Sequence, residues 1–226
     1  MKRFLVIVGI VAIAGVAVAQ EKSPDVHVSS LGRVPCNLIY VAHDWDFSVS
    51  DHGFTTTTCD TEGAPVWAHG AYGAEVDSDP PTGPQDVWGT VLGANYPINA
   101  GEGLVSPAFE VTPSSDTMEV LHYVAMETSW DGGNVSVDGT VVPPISGYPD
   151  VLNEYPWCVH DEEAFSDYDN PWEEVCFDLS AFVGQTIQVE FDFGSDSSVT
   201  YPGWYLAYVK IGDPEIPVEL QSITVE

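Results

Sequence analysis

Two runs late in the chain alternate between apolar and polar residues in the manner of β-strands. In residues 187–193 every second position is apolar, which is the period of a strand with one buried face and one wet face. After Gly194 and a serine-rich turn, residues 204–211 are dense in the aromatic and β-branched types that favour strands. We predict that these runs are adjacent inner strands of a sandwich, with Phe191 and Tyr205 in a shared interior.

The strand pattern recurs upstream. Residues 36–54, 87–92 and 117–128 predict further strands, and Asp138-Gly139 predicts the tight turn of a hairpin. Residues 55–84 are rich in Thr, Gly, Asp and Pro, which predicts loops with one edge strand. The 17 prolines and 20 glycines oppose long helices. The pattern therefore predicts an all-β protein, a two-sheet antiparallel jelly-roll sandwich with little helix.

The first residues have the features of an export signal. Lys2 and Arg3 precede a run of apolar and small residues, and Ala17-Val18-Ala19 matches a signal-peptidase site. An uncleaved anchor is the alternative, although the apolar run is shorter than the roughly 20 residues that cross a bilayer. We expect cleavage, a secreted or cell-surface chain, and no membrane insertion afterwards. The predicted segments are a signal at 1–19, an irregular leader at 20–35, the sandwich at 36–212 and a tail at 213–226.

The charge balance excludes two classes of partner. The chain carries 35 acidic and 5 basic residues, a formal net charge of −30. A surface of this sign repels phosphate backbones and anionic lipid head groups, so we expect neither nucleic acid nor a membrane surface as partner. A hydrophobic content of 44% is enough for a packed core, which argues against an acidic disordered chain.

Four cysteines in an exported chain predict two disulfides, for which three pairings exist. The most local pairing joins Cys36 to Cys59 and Cys158 to Cys176. Each of these bridges would close a loop of roughly 20 residues and stabilise the fold by about 3 kcal/mol. A zinc site is the alternative, but the chain has no C-x-x-C pair. The Cys158–Cys176 bridge would fasten residues 143–172, a surface excursion rich in Pro, acidic and aromatic residues.

Four segments form an ordered set: residues 87–97, 104–109, 122–135 and 184–205, the last with the motifs FGSDSS and GWY. In this order they resemble the MAM-like jelly-roll module found beside secreted bacterial peptidases of the immune inhibitor A type. The resemblance implies a non-catalytic antiparallel sandwich that acts in adhesion, carbohydrate contact or support of a neighbouring domain. Residues 214–226 are similar to the sequence that precedes a type IX secretion sorting domain. This tail is either the last strand of the module or the start of a longer protein.

Some members of that family hold a structural calcium ion on acidic side chains from three elements. For the first element this chain offers Asp44 or Asp46, and for the second it offers Glu127 or Asp131. The third element departs from the family, because Ala207-Tyr208 stands where the family has two aspartates. Calcium takes six to eight oxygen ligands. The resemblance therefore implies a site that is either lost or completed by backbone carbonyls, a loop acid or water.

Aromatic residues of the excursion are candidate ligand contacts. Tyr155, Trp157, Tyr168 and Trp172 either stack on sugar rings or form a lid over a sheet face. The chain has no H-E-x-x-H and no G-x-S-x-G motif. We therefore predict an exported, non-catalytic module for binding or adhesion, with a glycan or protein partner. A structural spacer for a neighbouring catalytic domain and an uncharacterised hydrolase are the alternatives.

Two polar residues have simple structural interpretations. His122 stands among the apolar positions of a predicted inner strand, which favours a buried histidine bonded to a neighbour over a ligand or a base. Ser195 lies in a predicted turn, where a hydroxyl bonds nearby backbone groups.

Overall fold

The computed structural model describes residues 36–58, 66–153, 158–159, 163–168 and 171–214. The helical structure within these ranges is a single 3₁₀ turn, Ser180–Phe182, and no helix there is long and apolar enough to cross a bilayer. The strands are β1 (Leu38–Asp46), β2 (Thr55–Thr58), β3 (Trp67–Ala71), β4 (Asp86–Thr90), β5 (Gly101–Val105), β6 (Phe109–Glu110), β7 (Thr117–Ala125), β8 (Gly132–Val137), β9 (Thr140–Val141), β10 (Asp150–Val151), β11 (Glu163–Ala164), β12 (Glu173–Asp178), β13 (Thr186–Ile187), β14 (Glu190–Gly194) and β15 (Gly203–Pro214).

The long strands form two antiparallel sheets. The six-stranded sheet has the order β12-β7-β15-β4-β3, and β1 pairs with the C-terminal half of β15. The five-stranded sheet has the order β2-β5-β14-β8-β9. Two short pairs, β6 with β13 and β10 with β11, lie outside them. The prediction of an all-β, two-sheet antiparallel jelly-roll sandwich with little helix is confirmed.

The main core lies between the two sheets. Phe191 and Phe193 of β14 and Trp204 and Leu206 of β15 are all fully buried in it. The ring centroids of Phe191 and Trp204 are 5.8 Å apart. Each fully buried side chain of this kind stabilises the fold by roughly 1.5–3 kcal/mol. Gly133 lies directly under the Trp204 ring, where the Cβ of any other residue would collide with it.

The two late runs lie in different sheets, which corrects the prediction that they are neighbours. β14 belongs to the five-stranded sheet and β15 to the six-stranded sheet, so the two strands face each other across the core. Tyr205 is fully buried but points away from this core, into a second cluster that contains Tyr123 and Trp172. The prediction that Phe191 and Tyr205 share one interior is therefore wrong. Side chains alternate along a strand, so Tyr205 must face opposite to Trp204.

A bulge interrupts β15. Its register against β7 shifts between Leu206 and Tyr208. Ala207 and Tyr208 consequently both face the second cluster, whereas Val209 returns to the main core. A bulge adds one residue to a strand and changes the face that the following side chains present. Ala207 and Tyr208 thus form a bulge that faces the second cluster.

The strand pattern locates β4 and β7 well and the segments around them less well. β7 is buried along its whole length between β12 and β15, as a central strand should be. The alternation in residues 36–54 continues past Asp46, where β1 ends. The strand ends there because Asp46 accepts hydrogen bonds from the backbone of the turn that follows. Where residues 55–84 are described, they contain two strands, β2 and β3, and not the single one predicted.

The hairpin turn is confirmed. β8 and β9 pair through Val137 and Thr140, and the two residues between them, Asp138 and Gly139, have φ values of 51° and 71°. Positive φ at both central residues is the conformation of a tight hairpin turn, which Asp and Gly tolerate best.

The disulfide predictions are wrong. Cys36 bonds to Cys176, 140 residues away, with a Cα–Cα distance of 5.6 Å. This bond excludes both Cys36–Cys59 and Cys158–Cys176. Cys158 is disulfide-bonded as well, and Cys59 lies outside the described residues. Local spacing fails here because strand order in the folded sheet, and not distance along the chain, decides which sulfurs meet.

The excursion is also more than a surface segment. Phe165 is buried in the main core, with its ring 4.6 Å from His122 and 5.7 Å from Trp204. It is anchored by two backbone hydrogen bonds between Phe165 and Gly133. Tyr148 packs on Phe165 at 5.0 Å and donates its hydroxyl hydrogen to the carbonyl of Val142. The excursion therefore fills part of the space between the sheets.

Candidate functional site

Three carboxylates converge at one end of the sandwich. Oxygen atoms of Glu127, Asp131 and Asp196 all lie within 4.8 Å of one another. Glu127 and Asp131 belong to the turn that joins β7 to β8, and Asp196 belongs to the loop that joins β14 to β15. The turn is tight, because the Glu127 carbonyl accepts hydrogen bonds from the backbone N–H groups of Trp130 and Asp131, both at 3.0 Å. We call this group the carboxylate cluster.

Asp131 is the buried centre of the carboxylate cluster. Its Oδ2 accepts a hydrogen bond from the Tyr96 hydroxyl at 2.5 Å, and its Oδ1 accepts one from the Asp196 N–H at 2.7 Å. The Tyr96 hydroxyl in turn accepts a hydrogen bond from the Glu127 N–H at 3.2 Å. Burial raises the pKa of Asp131 to about 6. The hydrogen bonds from Tyr96 and Asp196 act to lower this pKa, and the negative charges of Asp196 and Glu127 act to raise it.

Glu127 contributes an oxygen with no protein donor. Among the described residues, its Oε2 is buried and has no hydrogen-bond partner. Burial, and then the charge of Asp196, raise the pKa of Glu127. A buried carboxylate oxygen without a donor costs about 1–3 kcal/mol or more. A divalent cation would compensate for this cost, and three carboxylates are the hard oxygen donors that calcium prefers. The residues present therefore fit calcium.

Asp44 and Asp46, the other two predicted ligands, do not join the carboxylate cluster. Asp46 lies opposite Tyr208, which lies opposite Leu121 of β7. Glu127 follows Leu121 by six residues, about 20 Å along a strand. The structure thus brings Glu127 and Asp131 together with Asp196, and not with either acid of β1. Sequence reasoning missed Asp196 because its F-G-S-D-S-S context indicates a turn, and only the general option of a loop acid pointed to it.

Tyr208 and Lys210 of β15 contact carboxylates of the neighbouring strands. The Tyr208 hydroxyl lies 2.7 Å from a Glu174 oxygen and 3.1 Å from a Glu119 oxygen. Lys210 places its Nζ 3.5 Å from Glu119 and 3.9 Å from the centroid of the Tyr208 ring. The Tyr208 hydroxyl therefore bonds to Glu119 and Glu174, and the Lys210 ammonium pairs with Glu119.

The predicted aromatic contacts separate into three groups. Tyr155 and Trp157 lie outside the described residues. Trp172 is only 8% exposed, donates its indole N–H to the Ser78 carbonyl at 2.8 Å and packs on Tyr123. It is a lid over the outer face of the six-stranded sheet, so its prediction as a ligand contact is wrong. Tyr168 is 55% exposed.

Tyr168 lies beside the carboxylate cluster with two aromatic residues that sequence reasoning missed. Its ring centroid is 4.5 Å from that of Tyr201. Trp130, within the turn between Glu127 and Asp131, is 39% exposed. The connecting segments are bonded to one another, because the Asp167 carbonyl accepts the Met126 N–H at 2.8 Å and the Tyr201 carbonyl accepts the Tyr96 N–H at 3.1 Å. Trp130, Tyr168 and Tyr201 are hereafter the aromatic rim.

His122 has the structural role predicted for it, and Ser195 is structural too, but its hydroxyl bonds the backbone of residues 97–100 and not the local backbone that was predicted. His122 is fully buried; its Nδ1 accepts the Trp204 indole N–H at 3.0 Å, which leaves Nε2 to donate to Glu173 at 3.2 Å. Ser195 is also fully buried, accepts the Ala100 N–H at 2.9 Å and donates to the Pro97 carbonyl at 2.8 Å. Neither side chain is positioned to reach a substrate.

No protein-family model matches the chain. Bacillopeptidase F of Bacillus subtilis is 31% identical over 143 residues, which cover 59% of this chain and 9% of that protein. The chain therefore spans a small fraction of its curated relative.

Similar solved structures include two cleaved adhesin domains of Lys-gingipain. The K1 domain from Porphyromonas gingivalis is 14% identical with a TM-score of 0.48, and the match covers 76% of this chain and 97% of that one. The K2 domain is 19% identical with a TM-score of 0.44, covering 75% and 99%. The C-terminal CBM6 of LamC from Zobellia galactanivorans is 14% identical with a TM-score of 0.33, covering 71% and 100%.

Proposed function

We propose that this chain is a non-catalytic β-sandwich module of an exported protein, which binds an extracellular glycan at the loop end where calcium orders the carboxylate cluster. The observation that carries the proposal is the convergence of Glu127, Asp131 and Asp196 beside the aromatic rim, in which Trp130 and Tyr168 are exposed. A rigid ionic centre next to accessible rings is an arrangement suited to binding, since binding sites combine aromatic surface with a few fixed polar groups.

Glu127, Asp131 and Asp196 are the side chains that would hold calcium. When bound, the ion would offset their mutual repulsion and supply the missing partner of the Glu127 Oε2. It would also tie the β7–β8 turn to the β14–β15 loop, which carry Trp130 and Tyr201 respectively. The module would thereby hold its aromatic rim in one arrangement before a ligand arrives, which lowers the entropic cost of binding.

The aromatic rim supports a glycan partner. Exposed Tyr and Trp rings present a flat apolar face together with a polar edge, which matches the alternating C–H and O–H surface of a sugar ring. The formal charge of −30 makes sulfated or uronate-rich chains unfavourable partners. The proposal therefore concerns neutral glycans.

Three further observations support a non-catalytic, extracellular module. The buried histidine and serine that resemble catalytic types, His122 and Ser195, are fully engaged in structural hydrogen bonds. The alignment with Bacillopeptidase F covers only 9% of that protein, as expected for an accessory segment. The Cys36–Cys176 disulfide and the signal-like residues 1–19 suit an oxidising compartment outside the cell.

Calcium binding is tested by thermal unfolding with and without chelator. Extracellular modules bind calcium with Kd of about 10⁻⁴–10⁻³ M, so 10 mM calcium should stabilise the fold by about 1.5–3 kcal/mol and raise Tm by roughly 3–10 °C. Glu127→Gln and Asp196→Asn should abolish the rise, and Asp46→Asn should keep it. An unchanged Tm in the wild type would remove the ion from the proposal, and loss of the rise only in Asp46→Asn would move it to β1.

Glycan binding is tested on an array of neutral polysaccharides in the presence of calcium. Tyr168→Ala and Trp130→Ala should each reduce retention about two- to tenfold, since each stacked ring contributes about 0.5–1.5 kcal/mol. Tyr40→Ala is the matched control, because Tyr40 is equally exposed, at 56%, and lies on β1. If no glycan is retained, the alternative of a structural spacer takes precedence, and it predicts loss of stability in a neighbouring domain when the module is deleted.

A further inference from the structure

A groove lies between β1 and the segment that follows β6, away from the carboxylate cluster. Its volume is about 490 Å³, within the range of roughly 300–1,000 Å³ that is typical of ligand pockets. The lining residues are Tyr40, Ala42, His43, Glu110, Thr112, Ser114 and Ser115. None of them belongs to the carboxylate cluster or the aromatic rim.

Two irregularities in β1 shape the groove. The register of β1 against β15 shifts between Leu38 and Tyr40 and again between Val41 and His43. Bulges of this kind change the direction of side chains and are common beside functional sites. The His43 ring is held in place by stacking on Trp45 at 5.4 Å and by Phe109 at 5.6 Å. One wall of the groove is therefore fixed by core aromatics.

The groove offers polar groups that the protein itself does not use. Among the described residues, the Tyr40 hydroxyl, the His43 imidazole and the Glu110 carboxylate have no hydrogen-bond partner and no ion pair. By contrast, the hydroxyls of Thr112 and Ser115 bond to each other at 2.8 Å and form a polar floor. A free carboxylate beside a 56% exposed tyrosine ring is the combination that binds organic cations.

The charge around the groove has one sign. Asp213 lies opposite Tyr40 in the β1–β15 pairing, and Asp116 directly follows Ser115 of the lining. Burial raises the pKa of Asp116, and the negative charges of Asp178 and Asp213 raise it further. Lys210 is the only lysine or arginine in residues 36–226, and it is engaged with Glu119 at 3.5 Å. No cation of the sandwich therefore neutralises Glu110.

We propose that this groove receives a lysine or arginine side chain of a protein partner, with the cationic group over the Tyr40 ring and paired with Glu110. Ile39 and Val41 adjoin Tyr40 on the same strand and are 67% and 39% exposed, so this stretch of β1 presents apolar surface to solvent beside the groove. This combination fits a basic peptide segment better than a free ion or a polyamine. The site is independent of calcium and of the glycan surface.

The experiment uses an acetylated, amidated tripeptide Ala-Lys-Ala, its arginine counterpart and a neutral norleucine counterpart, titrated into the whole chain and followed by ¹H–¹⁵N NMR. The lysine and arginine peptides should shift the amide signals of residues 40–43 and 110–115, and the norleucine peptide should not. Glu110→Gln should weaken binding about fivefold, and Tyr40→Leu should weaken it about threefold. Both positions are exposed, and preserved dispersion of the remaining signals shows that the variants fold.

Glu163→Gln is the matched control, because it removes the same charge from an exposed position on β11. It should change affinity less than twofold. An equal loss in Glu163→Gln would show diffuse attraction to an acidic protein and overturn the proposal. Equal binding of the norleucine peptide, or shifts at the groove with neutral oligosaccharides but not with lysine, would overturn it as well. Glu127→Gln should leave peptide binding unchanged, so failure of this proposal and failure of the calcium site are separable.

Discussion

Asp192 gives the sandwich a stability that falls as pH rises. It lies in the middle of the five-stranded sheet, fully buried, with Asn134 of β8 and Gly103 of β5 as its cross-strand neighbours. Its Oδ2 accepts a hydrogen bond from the Ser136 hydroxyl at 2.7 Å. Burial, and then the charge of Glu190, raise the pKa of Asp192 from an ordinary 3.8 to about 8. The folded protein therefore prefers the neutral acid.

The size of the effect follows from the difference in pKa. About 4 pH units separate the folded and unfolded values, and each unit is worth about 1.4 kcal/mol, so the upper bound is on the order of 5 kcal/mol. Because the folded pKa is the higher one, the folded state binds more protons than the unfolded state between these values. The contribution is complete below pH 4 and is lost progressively as the pH rises toward 8.

Asp192→Asn isolates this contribution. An asparagine keeps the shape and the hydrogen bond to Ser136 but cannot ionise. The free energy of unfolding in urea should agree between wild type and variant within about 1 kcal/mol at pH 4.5, whereas at pH 8.5 the variant should be more stable by about 2–5 kcal/mol. Taking the difference between the two proteins cancels the repulsion among the other acids. Asp138→Asn, at an exposed turn, is the control and should show no such trend.

One result would refute the reasoning. If the difference in unfolding free energy between wild type and Asp192→Asn stays constant from pH 4.5 to pH 8.5, Asp192 titrates alike in both states and its burial has no electrostatic consequence.

Three further substitutions test the fold by urea unfolding. Replacing Cys36 and Cys176 together by serine should cost about 5 kcal/mol, because the bridge closes a loop of 140 residues; a loss under 1 kcal/mol would contradict the loop-entropy argument. Gly133→Ala should cost about 1–3 kcal/mol through collision with the Trp204 ring, and an unchanged stability would show that the ring can move. Phe165→Ala should cost about 3–5 kcal/mol if the excursion is part of the core, and only a few tenths if it is not.

Local pattern was enough to recognise the strands but not their partners. The alternation in residues 187–193 identifies the neighbourhood of β14, and Asp138-Gly139 identifies the β8–β9 turn, because both signals are local in the chain. The assignment of β14 and β15 to opposite sheets depends on which strands come between them in space. The bulge at residues 207–208 likewise depends on the register against β7. The alternation of apolar and polar residues contains no information on either the order of the strands or their register.

The candidate site shows the same division. The family resemblance implied Glu127 or Asp131 as a ligand near the Asp-Gly-Gly turn, and both residues lie in the short connection from β7 to β8. Asp196 joins them only because the β14–β15 loop crosses that end, a contact between residues 65 positions apart in the Asp131–Asp196 hydrogen bond. Asp44 and Asp46 do not join the carboxylate cluster, because the fold places them away from it. Their strand runs past the middle of β15, far from the turn.

The bridge between Cys36 and Cys176 also determines how the module carries mechanical load. A pulling force applied ahead of β1 reaches the covalent link before it reaches the β1–β15 hydrogen bonds, and it is passed to β12 at the opposite margin of the sheet. A force applied at the N-terminal end of β1 therefore cannot break the β1–β15 hydrogen bonds one after another from that end. If a protease cuts one peptide bond between residues 37 and 175, the disulfide still joins the two fragments covalently. A single cut there therefore does not by itself separate the N-terminal fragment from the C-terminal one.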